Sequence, residues 1–262
     1  MSRISAVFKD RKRKALIAYI TVGYPDISST PQAAMLLAKA GCDLIELGIP
    51  FSDPLADGAT IQASSHRALL NGVTVSTCLE TAAKIRAQID KPLVFMTYLN
   101  PVLKYGIDGF CSACSAAGVD GLIVPDLPPG ELPEFDKATL KHGIDTIYLL
   151  APNSSQARIK QAAKLSRGFI YLVSVTGVTG VRESFSTDLK IFISRVRKNT
   201  DLPLCVGFGI SNAQQAGQVA SLADGVIIGS RIIQLMDEGA GDYKKLRDFI
   251  AGIRAAIDAK SD

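Results

Sequence analysis

Short apolar runs rich in Val, Ile, Leu and Tyr recur along the chain, and a segment with helical periodicity follows each of them. Most runs are continuous rather than alternating, which is typical of strands buried on both faces of a parallel sheet. The gaps between successive runs are long enough to hold a crossover helix. We therefore predict eight parallel strands, at residues 15–21, 43–48, 92–98, 121–124, 145–150, 169–174, 204–207 and 225–228.

The segments between these runs carry recognisable helix boundaries. In the first of them Ser28 is a candidate N-cap, Pro31 falls in the first turn, and Gly41 follows the last helical position. Similar helical segments follow along the chain. We predict the regular helices at residues 26–40, 74–89, 107–117, 131–142, 155–165, 188–198, 212–222 and 243–259.

Eight alternations of strand and helix within about 250 residues are typical of a (β/α)₈ TIM barrel. A doubly wound sheet shows the same alternation and is the alternative. We favour the barrel because the turn after the first strand, residues 21–25, has one glycine and lacks a dinucleotide-binding fingerprint. Since no linker or composition shift divides the chain, we predict a single barrel domain over residues 1–262.

Three additions to the regular barrel are expected. The basic segment 1–14 is helix-like and precedes the first strand, and short extra helices are predicted at 61–71 and 231–237, after strands 2 and 8. The first of these extends the connection between strands 2 and 3. Connections that follow the carboxyl ends of barrel strands lie on the active-site face, so this one is a candidate lid or partner contact.

The composition excludes several classes of protein. With 47% hydrophobic and 21% charged residues, wholesale disorder is excluded. No apolar run approaches the roughly 18 residues that cross a bilayer, and the N-terminus lacks the apolar core of a secretory signal. A net charge of +4 is too small to indicate a nucleic-acid partner. We expect a cytoplasmic protein that contacts neither membranes nor nucleic acids.

Cysteine and histidine do not form the usual metal or redox patterns. Five scattered cysteines argue against a disulfide framework and fit reduced thiols. Cys111 and Cys114 have the spacing of a redox motif, but they fall inside an amphipathic helical segment and are interpreted as structural. His66 and His142 are the two histidines, and both lie in predicted helices. We therefore expect no metal site.

Three carboxylates follow one another on the second strand and its loop. Glu46 interrupts an otherwise apolar strand, where partial desolvation would raise its pKa toward neutrality and suit it to acid-base chemistry. A structural carboxylate bonded to the backbone is the alternative. Asp53 and Asp57 stand beside Pro54 and Gly58, so turn formation is an equally simple reading of both.

Glycines gather at three late strand ends, in residues 174–180, 207–212 and 228–231. Barrels often bind phosphate after strands 7 and 8, through backbone N–H groups and a helix N-terminus, although such glycines also serve tight turns. No lysine lies at the carboxyl end of a predicted strand, which argues against a Schiff base. The candidate chemistry that remains after these exclusions is acid-base catalysis on a phosphorylated small molecule.

Four motifs together resemble the tryptophan synthase α-subunit family. They are ELGIPFSDPLADG at 46–58, VPDLPP at 124–129, YLVSVTGVTG at 171–180 and GFGIS at 207–211. The resemblance runs essentially from end to end, and its first motif is highly specific. It implies a carbon-carbon lyase that cleaves indole-3-glycerol phosphate to indole and glyceraldehyde 3-phosphate by a retro-aldol reaction without a cofactor.

The resemblance also implies roles for particular residues. Glu46 would protonate indole C3 and then deprotonate the side-chain hydroxyl, while Asp57 would accept the indole N–H. Residues of the indole pocket would be Tyr19, Met96, Ile123 and Tyr171, with Thr179 holding a lid near Asp57. Position 19 is a departure, because bacterial relatives often have Phe there. Backbone N–H groups would bind phosphate at Gly180, Gly209, Gly229 and Ser230.

A partner is implied as well. The family pairs with a β subunit that holds pyridoxal phosphate and condenses the transferred indole with L-serine, in the last step of tryptophan biosynthesis. Asp53 and Pro54 match the region that contacts β, and an α₂β₂ heterotetramer is expected. The alternatives are a stand-alone lyase that releases free indole, an inactive barrel that only regulates β, and a sugar-phosphate isomerase.

Overall fold

Parallel strands form a nearly closed barrel in the computed structural model, which describes residues 1–10, 12–173, 182–207, 209–239 and 241–259. The side chains of 182–186 are not described. The strands are β1 (Ala15–Thr21), β2 (Leu44–Gly48), β3 (Leu93–Met96), β4 (Gly121–Ile123), β5 (Asp145–Ile147), β6 (Leu149–Leu150), β7 (Ile170–Val173), β8 (Leu204–Gly207) and β9 (Gly225–Ile228).

The strand order shows how the barrel closes. Neighbours in the sheet run β5-β4-β3-β2-β1-β9-β8-β7-β6, and every pairing is parallel. The fifth predicted strand is interrupted at Tyr148 into β5 and β6, which pair with β4 and β7 respectively. The first and last strands of this order, β5 and β6, are consecutive in the chain and are joined at Tyr148. The strands therefore form a barrel, and the doubly wound alternative is wrong.

Helices surround this barrel on the outside. In chain order they are α1 (Arg3–Val7), α2 (Ser29–Lys39), α3 (Ala59–Leu70), α4 (Val75–Arg86), α5 (Leu99–Tyr105), α6 (Ile107–Ala116), α7 (Pro133–Lys141), α8 (Gln156–Leu165), α9 (Arg182–Arg197), α10 (Ala213–Ala220), α11 (Ser230–Gly239) and α12 (Lys244–Asp258). The expected extra helices after the second and eighth barrel strands are present as α3 and α11. Among the described helices, none is long and apolar enough to cross a membrane.

Three helical segments differ from the sequence expectation, one of them α9, which begins at Arg182 rather than at residue 188. Helix α1 ends at Val7, so the basic residues that follow it do not continue the helix. Helix α5 was not predicted, because Asn100-Pro101 is a common turn signal. Its first backbone N–H, at Leu99, is instead capped by the carboxylate of Asp126, at 2.9 Å. That partner lies 27 residues away in sequence, which local patterns do not reveal.

The strand side chains divide into two apolar layers. Those facing outward pack against the helices in the larger cluster. Those facing inward form a smaller one that includes Ile17, Leu44 and Val94. Helix α1 adds Ile4 to this interior and the residue that follows it adds Phe8, whose ring lies 5.9 Å from that of Phe169. Helix α1 thus seals the amino end of the barrel.

Aspartates at the amino ends of three strands each accept a backbone N–H from the neighbouring strand. Asp43 binds the amide of Leu16 at 3.0 Å, Asp120 that of Leu93 at 2.9 Å and Asp224 that of Leu204 at 2.8 Å. Each of these carboxylates also pairs with arginines of the surrounding segments, which are Arg13 and Arg254 for Asp43, Arg3 and Arg86 for Asp120, and Arg197 for Asp224.

The five cysteines are all free and buried. Cys111 and Cys114 lie within α6, as expected for structural residues. Burial raises the pKa of both thiols, to about 11 for Cys111. Because the thiolate is the reactive form, these cysteines are chemically quiet.

Candidate active site

Glu46 points into the barrel from the middle of β2. Leu44, two residues earlier, belongs to the interior cluster, and side chains two residues apart on a strand share a face. The Glu46 side chain is fully buried, and neither carboxyl oxygen has a hydrogen-bond partner among the described residues. Burial raises the pKa of this carboxyl to about 8. At neutral pH Glu46 is therefore mainly an uncharged acid.

Asp57 reaches the same cavity from the loop after β2. Burial raises the pKa of Asp57 to about 6, and a hydrogen bond from Tyr98 partly offsets that rise. The Tyr98 hydroxyl donates to Oδ2 of Asp57 at 3.1 Å. At pH 7 Asp57 is ionised while Glu46 is neutral, so two nearby carboxyl groups are set to opposite protonation states.

Helix α3 fixes the loop that carries Asp57. The Ser65 hydroxyl accepts the Phe51 N–H at 2.9 Å and donates to the Phe51 carbonyl at 3.1 Å. The Gln62 side-chain amide donates to the carbonyl of Asp57 at 2.9 Å. The Phe51 ring stacks on Tyr98, with centroids 5.2 Å apart. These bonds fix the long connection after β2 at Phe51 and at Asp57.

Both carboxyl groups face a cavity of about 150 Å³. The described residues that line it are Tyr19, Glu46, Asp57, Gly58, Ile61, Met96, Tyr171, Gly209, Ile210, Ser211, Ile227, Gly229, Ser230, Arg231 and Gln234. A second cavity of about 490 Å³ shares Met96 and Tyr171 as lining residues. The middle of the site is an aromatic and apolar slot, which suits a flat ring.

Two inward glycines make room for the tyrosines of this slot. A Cβ at Gly48 would lie 2.1 Å from the Tyr19 hydroxyl oxygen, and one at Gly207 would lie 2.3 Å from that of Tyr171. Any side chain at either position would push the neighbouring phenol out of place. The Tyr19 hydroxyl also lies 3.4 Å from that of Thr21, which gives it a polar neighbour in this apolar slot.

One end of the cavity is built for an anion. Gly229 and Ser230 lie where α11 begins, and Gly209, with a φ of +75°, lines the same cavity. The first N–H groups of a helix have no partner within the helix, and the helix dipole makes this end positive. Phosphate or carboxylate is the ligand that such a terminus binds.

The other predicted site residues are placed as follows. Ile123 is fully buried at the end of β4 and belongs to the interior cluster rather than to the cavity lining. Asp53 is exposed and Pro54 half-buried, on the loop that leads to Asp57. Thr179, expected to hold a lid, and Gly180, expected to bind phosphate, lie outside the described residues.

Sequence reasoning did not identify Tyr98, Arg231 or Gln234 as site residues. Tyr98 lies two residues after the end of β3, so a tyrosine near a strand's carboxyl end was an available signal. Arg231 and Gln234 lie three residues apart on α11, which places them on one helix face. The position of Arg231 next to the predicted anion site was a usable signal too.

This arrangement supports one kind of chemistry. An uncharged acid and an ionised carboxylate face an apolar slot, and an anion site closes one end. Such a pair can donate a proton to a substrate ring and stabilise the positive charge that results, and the acid can then act as a base. A flat aromatic molecule that carries a phosphorylated side chain fits these features.

The sequence matches known proteins over nearly its whole length. A family model described as tryptophan synthase alpha chain matches residues 6–258. The tryptophan synthase alpha chain of Dehalococcoides mccartyi is 54% identical over 258 residues, covering 98% of this chain and 100% of that protein. That of Geobacter sulfurreducens is 45% identical, covering 98% of this chain and 99% of that protein.

Solved structures agree with the sequence matches. A chain in a ligand-free crystal structure of tryptophan synthase from M. tuberculosis superposes with a TM-score of 0.90 at 38% identity, covering 98% of this chain and 100% of that chain. The tryptophan synthase subunit alpha of Legionella pneumophila superposes with a TM-score of 0.90 at 35% identity, covering 99% of both chains.

Proposed function

Because this chain belongs to the tryptophan synthase alpha chain family, we propose that its cavity cleaves indole-3-glycerol phosphate with Glu46 and Asp57 as the catalytic pair. The family makes the chain a lyase of tryptophan biosynthesis that uses no cofactor, since pyridoxal phosphate belongs to the beta subunit. The observation that carries the catalytic assignment is the buried, unpartnered carboxyl of Glu46 in the same cavity as Asp57.

The first step needs an acid at indole C3. Glu46, with a pKa of about 8, holds a proton at neutral pH and donates it to this carbon. The ring then becomes an indolenine whose positive charge lies on nitrogen. Asp57, ionised above pH 6, accepts the ring N–H and stabilises that charge. The raised pKa of Glu46 and the lower one of Asp57 suit these opposite tasks.

The second step needs a base. After giving up its proton, the Glu46 carboxylate removes the proton from the side-chain hydroxyl next to C3. The electron pair of that O–H bond forms the aldehyde carbonyl, the bond to C3 breaks, and its electrons restore the aromatic ring. Indole and glyceraldehyde 3-phosphate result, and Glu46 is protonated again for the next turnover.

Binding uses the rest of the cavity. Tyr19, Met96 and Tyr171 form the slot for the indole ring, and Ile123 supports it from the barrel interior. The backbone N–H groups at Gly209, Gly229 and Ser230 bind the phosphate, with Gly180 completing the site. Thr179 holds the lid near Asp57 in the closed state.

The family pairs with a beta subunit, and we assign the contact to the loop after β2. Asp53 is exposed there, and the next apolar side chain, Leu55, is 91% exposed. Docking of a partner on this loop would bury the apolar side chain of Leu55, which favours association. Since Asp57 is two residues further along, docking of a beta subunit would reach the catalytic carboxylate directly. The assembly is an α₂β₂ heterotetramer in the cytoplasm, in which residues 1–262 act as one domain.

The test is indole formation from indole-3-glycerol phosphate, measured for the purified chain with and without a beta subunit. We expect slow turnover alone and strong activation by the beta subunit, with Glu46→Gln as the inactive control. Equal rates in both conditions would indicate the stand-alone lyase instead. Absence of indole in both conditions would overturn the proposed activity.

A further inference from the structure

Arg231 has an unusual place in the cavity. Among the described residues that line the cavity, it is the only one with a lysine or arginine charge, while Glu46 and Asp57 supply the carboxyl groups. It is the second residue of α11, directly after Ser230. Its backbone therefore adjoins the N–H groups to which the phosphate is assigned, and its side chain lines the same cavity.

The start of α11 favours an anionic ligand. The first turn of α11 contains no acidic residue, and the N-terminus of a helix already carries a partial positive charge. An anion bound at this end of the cavity would be attracted both by the helix N-terminus and by the charge of Arg231. The unpartnered, fully buried Glu46 in the same lining is independent evidence that this cavity receives a ligand.

Without a ligand, Arg231 is held by its own helix. Its Nη1 donates to Glu238 Oε1 at 2.9 Å and to Gln234 Oε1 at 3.2 Å. Both side chains of the ion pair are partly exposed, at 31% for Arg231 and 44% for Glu238. An exposed ion pair of this kind contributes little free energy, so a doubly charged phosphate competes with it effectively.

We propose that Arg231 exchanges Glu238 for the substrate phosphate and is a determinant of phosphate affinity, with Glu238 acting as the competing anion. The inference rests on the proposed function, because it uses the same cavity. It adds a side-chain charge to a phosphate site otherwise made of backbone N–H groups. That charge also offsets the repulsion between the phosphate and the ionised Asp57.

The test compares Arg231→Met, Glu238→Gln and the double variant, with glycerol 3-phosphate as a probe in titration calorimetry. We expect Arg231→Met to weaken binding about tenfold, the loss typical of a charged hydrogen bond. Glu238→Gln should strengthen binding by about twofold, since it frees the arginine. The double variant should match Arg231→Met. The KM for indole-3-glycerol phosphate should follow these changes more closely than kcat does.

The opposite signs of the two single variants separate the proposal from a structural role. If the ion pair only stabilised α11, both substitutions would weaken binding alike, and that result would overturn the proposal. Unchanged binding in Arg231→Met would overturn it as well, and so would a wild-type chain that does not bind glycerol 3-phosphate. If wild-type protein binds the probe but makes no indole, the proposed activity fails while calorimetry still decides the role of Arg231.

Discussion

The Tyr98 hydroxyl donates a hydrogen bond to Asp57 and accepts one, at 2.9 Å, from the backbone N–H of Ala56. The phenol therefore binds two consecutive residues of the loop after β2. Its bond to the carboxylate favours the ionised form, against the burial that favours the neutral acid. Tyr98 thus sets both the position and the charge of Asp57.

Tyr98→Phe should raise the pKa of Asp57 further, because the hydrogen bond that lowers it is lost while burial remains. The acidic limb of the kcat/KM profile should move to higher pH, and activity at pH 6 should fall more than activity at pH 8. Rates measured across this range will test it. An acidic limb at the wild-type position would show that the hydroxyl does not tune Asp57.

The wild-type profile of kcat/KM should be bell-shaped. Activity should rise as Asp57 ionises near pH 6 and fall as Glu46 loses its proton near pH 8. Asp57→Asn should lack the acidic limb and be slower at every pH, and Glu46→Gln should produce essentially no indole. Substantial indole production by Glu46→Gln, or a Glu46 ionisation near that of a free glutamate, would contradict the assignment.

The same buried glutamate should make the protein less stable at higher pH. Its pKa rises from 4.5 in the unfolded chain to about 8 in the folded one. Between these values only the unfolded state releases the proton, so the free energy of unfolding falls by about 1.4 kcal/mol per pH unit from this group. Below pH 4.5 the effect vanishes.

Glu46→Gln should remove this cost. Its unfolding free energy, from urea denaturation, should be close to that of the wild type at pH 4.5 and exceed it increasingly toward pH 8. The difference between the two proteins isolates Glu46, since all other titrating groups are shared. A gap that does not widen with pH would show that the folded-state pKa is not raised.

Substitution at the opposite end of the barrel should affect stability instead of activity. Asp43 is 2% exposed and binds Arg254 at 3.0 Å as well as the Leu16 amide. Asp43→Asn should lower the free energy of unfolding by about 3 kcal/mol, because it removes the buried counter-charge of Arg254, whose other carboxylate partner, Asp258, is exposed. The control is Asp248→Asn, in an exposed pair, which should change stability by less than about 0.5 kcal/mol. Equal effects of both would refute this account.

Leu55 provides a test of the partner contact. Leu55→Ser should raise the concentration of beta subunit needed for half-maximal activation. The exposed leucine would bury apolar area when the beta subunit docks, and the serine variant loses that contribution. Leu140→Ser, on α7 and 64% exposed, is a matched control that should leave this concentration unchanged. If both variants behave as the wild type does, the loop after β2 is not the main contact.

The barrel and a special environment for Glu46 are visible in the sequence, whereas the contact that Tyr98 makes with Asp57 is not, for a physical reason. Strand spacing reports the topology, and a charged residue inside an apolar run is visible in one segment. The contact between Tyr98 and Asp57 spans 41 residues. It depends on the register that pairs Gly48 with Met96, which brings the two following loops together. The break at Tyr148 and the cap on α5 from Asp126 are likewise products of tertiary contacts.

Asp43 and Glu46 stand three residues apart on one chain segment, roughly 10 Å along an extended strand. One anchors the amino mouth of the barrel, and the other faces the cavity. Effects of changes at such separated sites are expected to add. Substitutions that change substrate preference can therefore accumulate around the cavity. Substitutions at the amino mouth that raise the free energy of unfolding can offset their cost in stability. The barrel is thus a suitable starting point for directed evolution of new aromatic lyases.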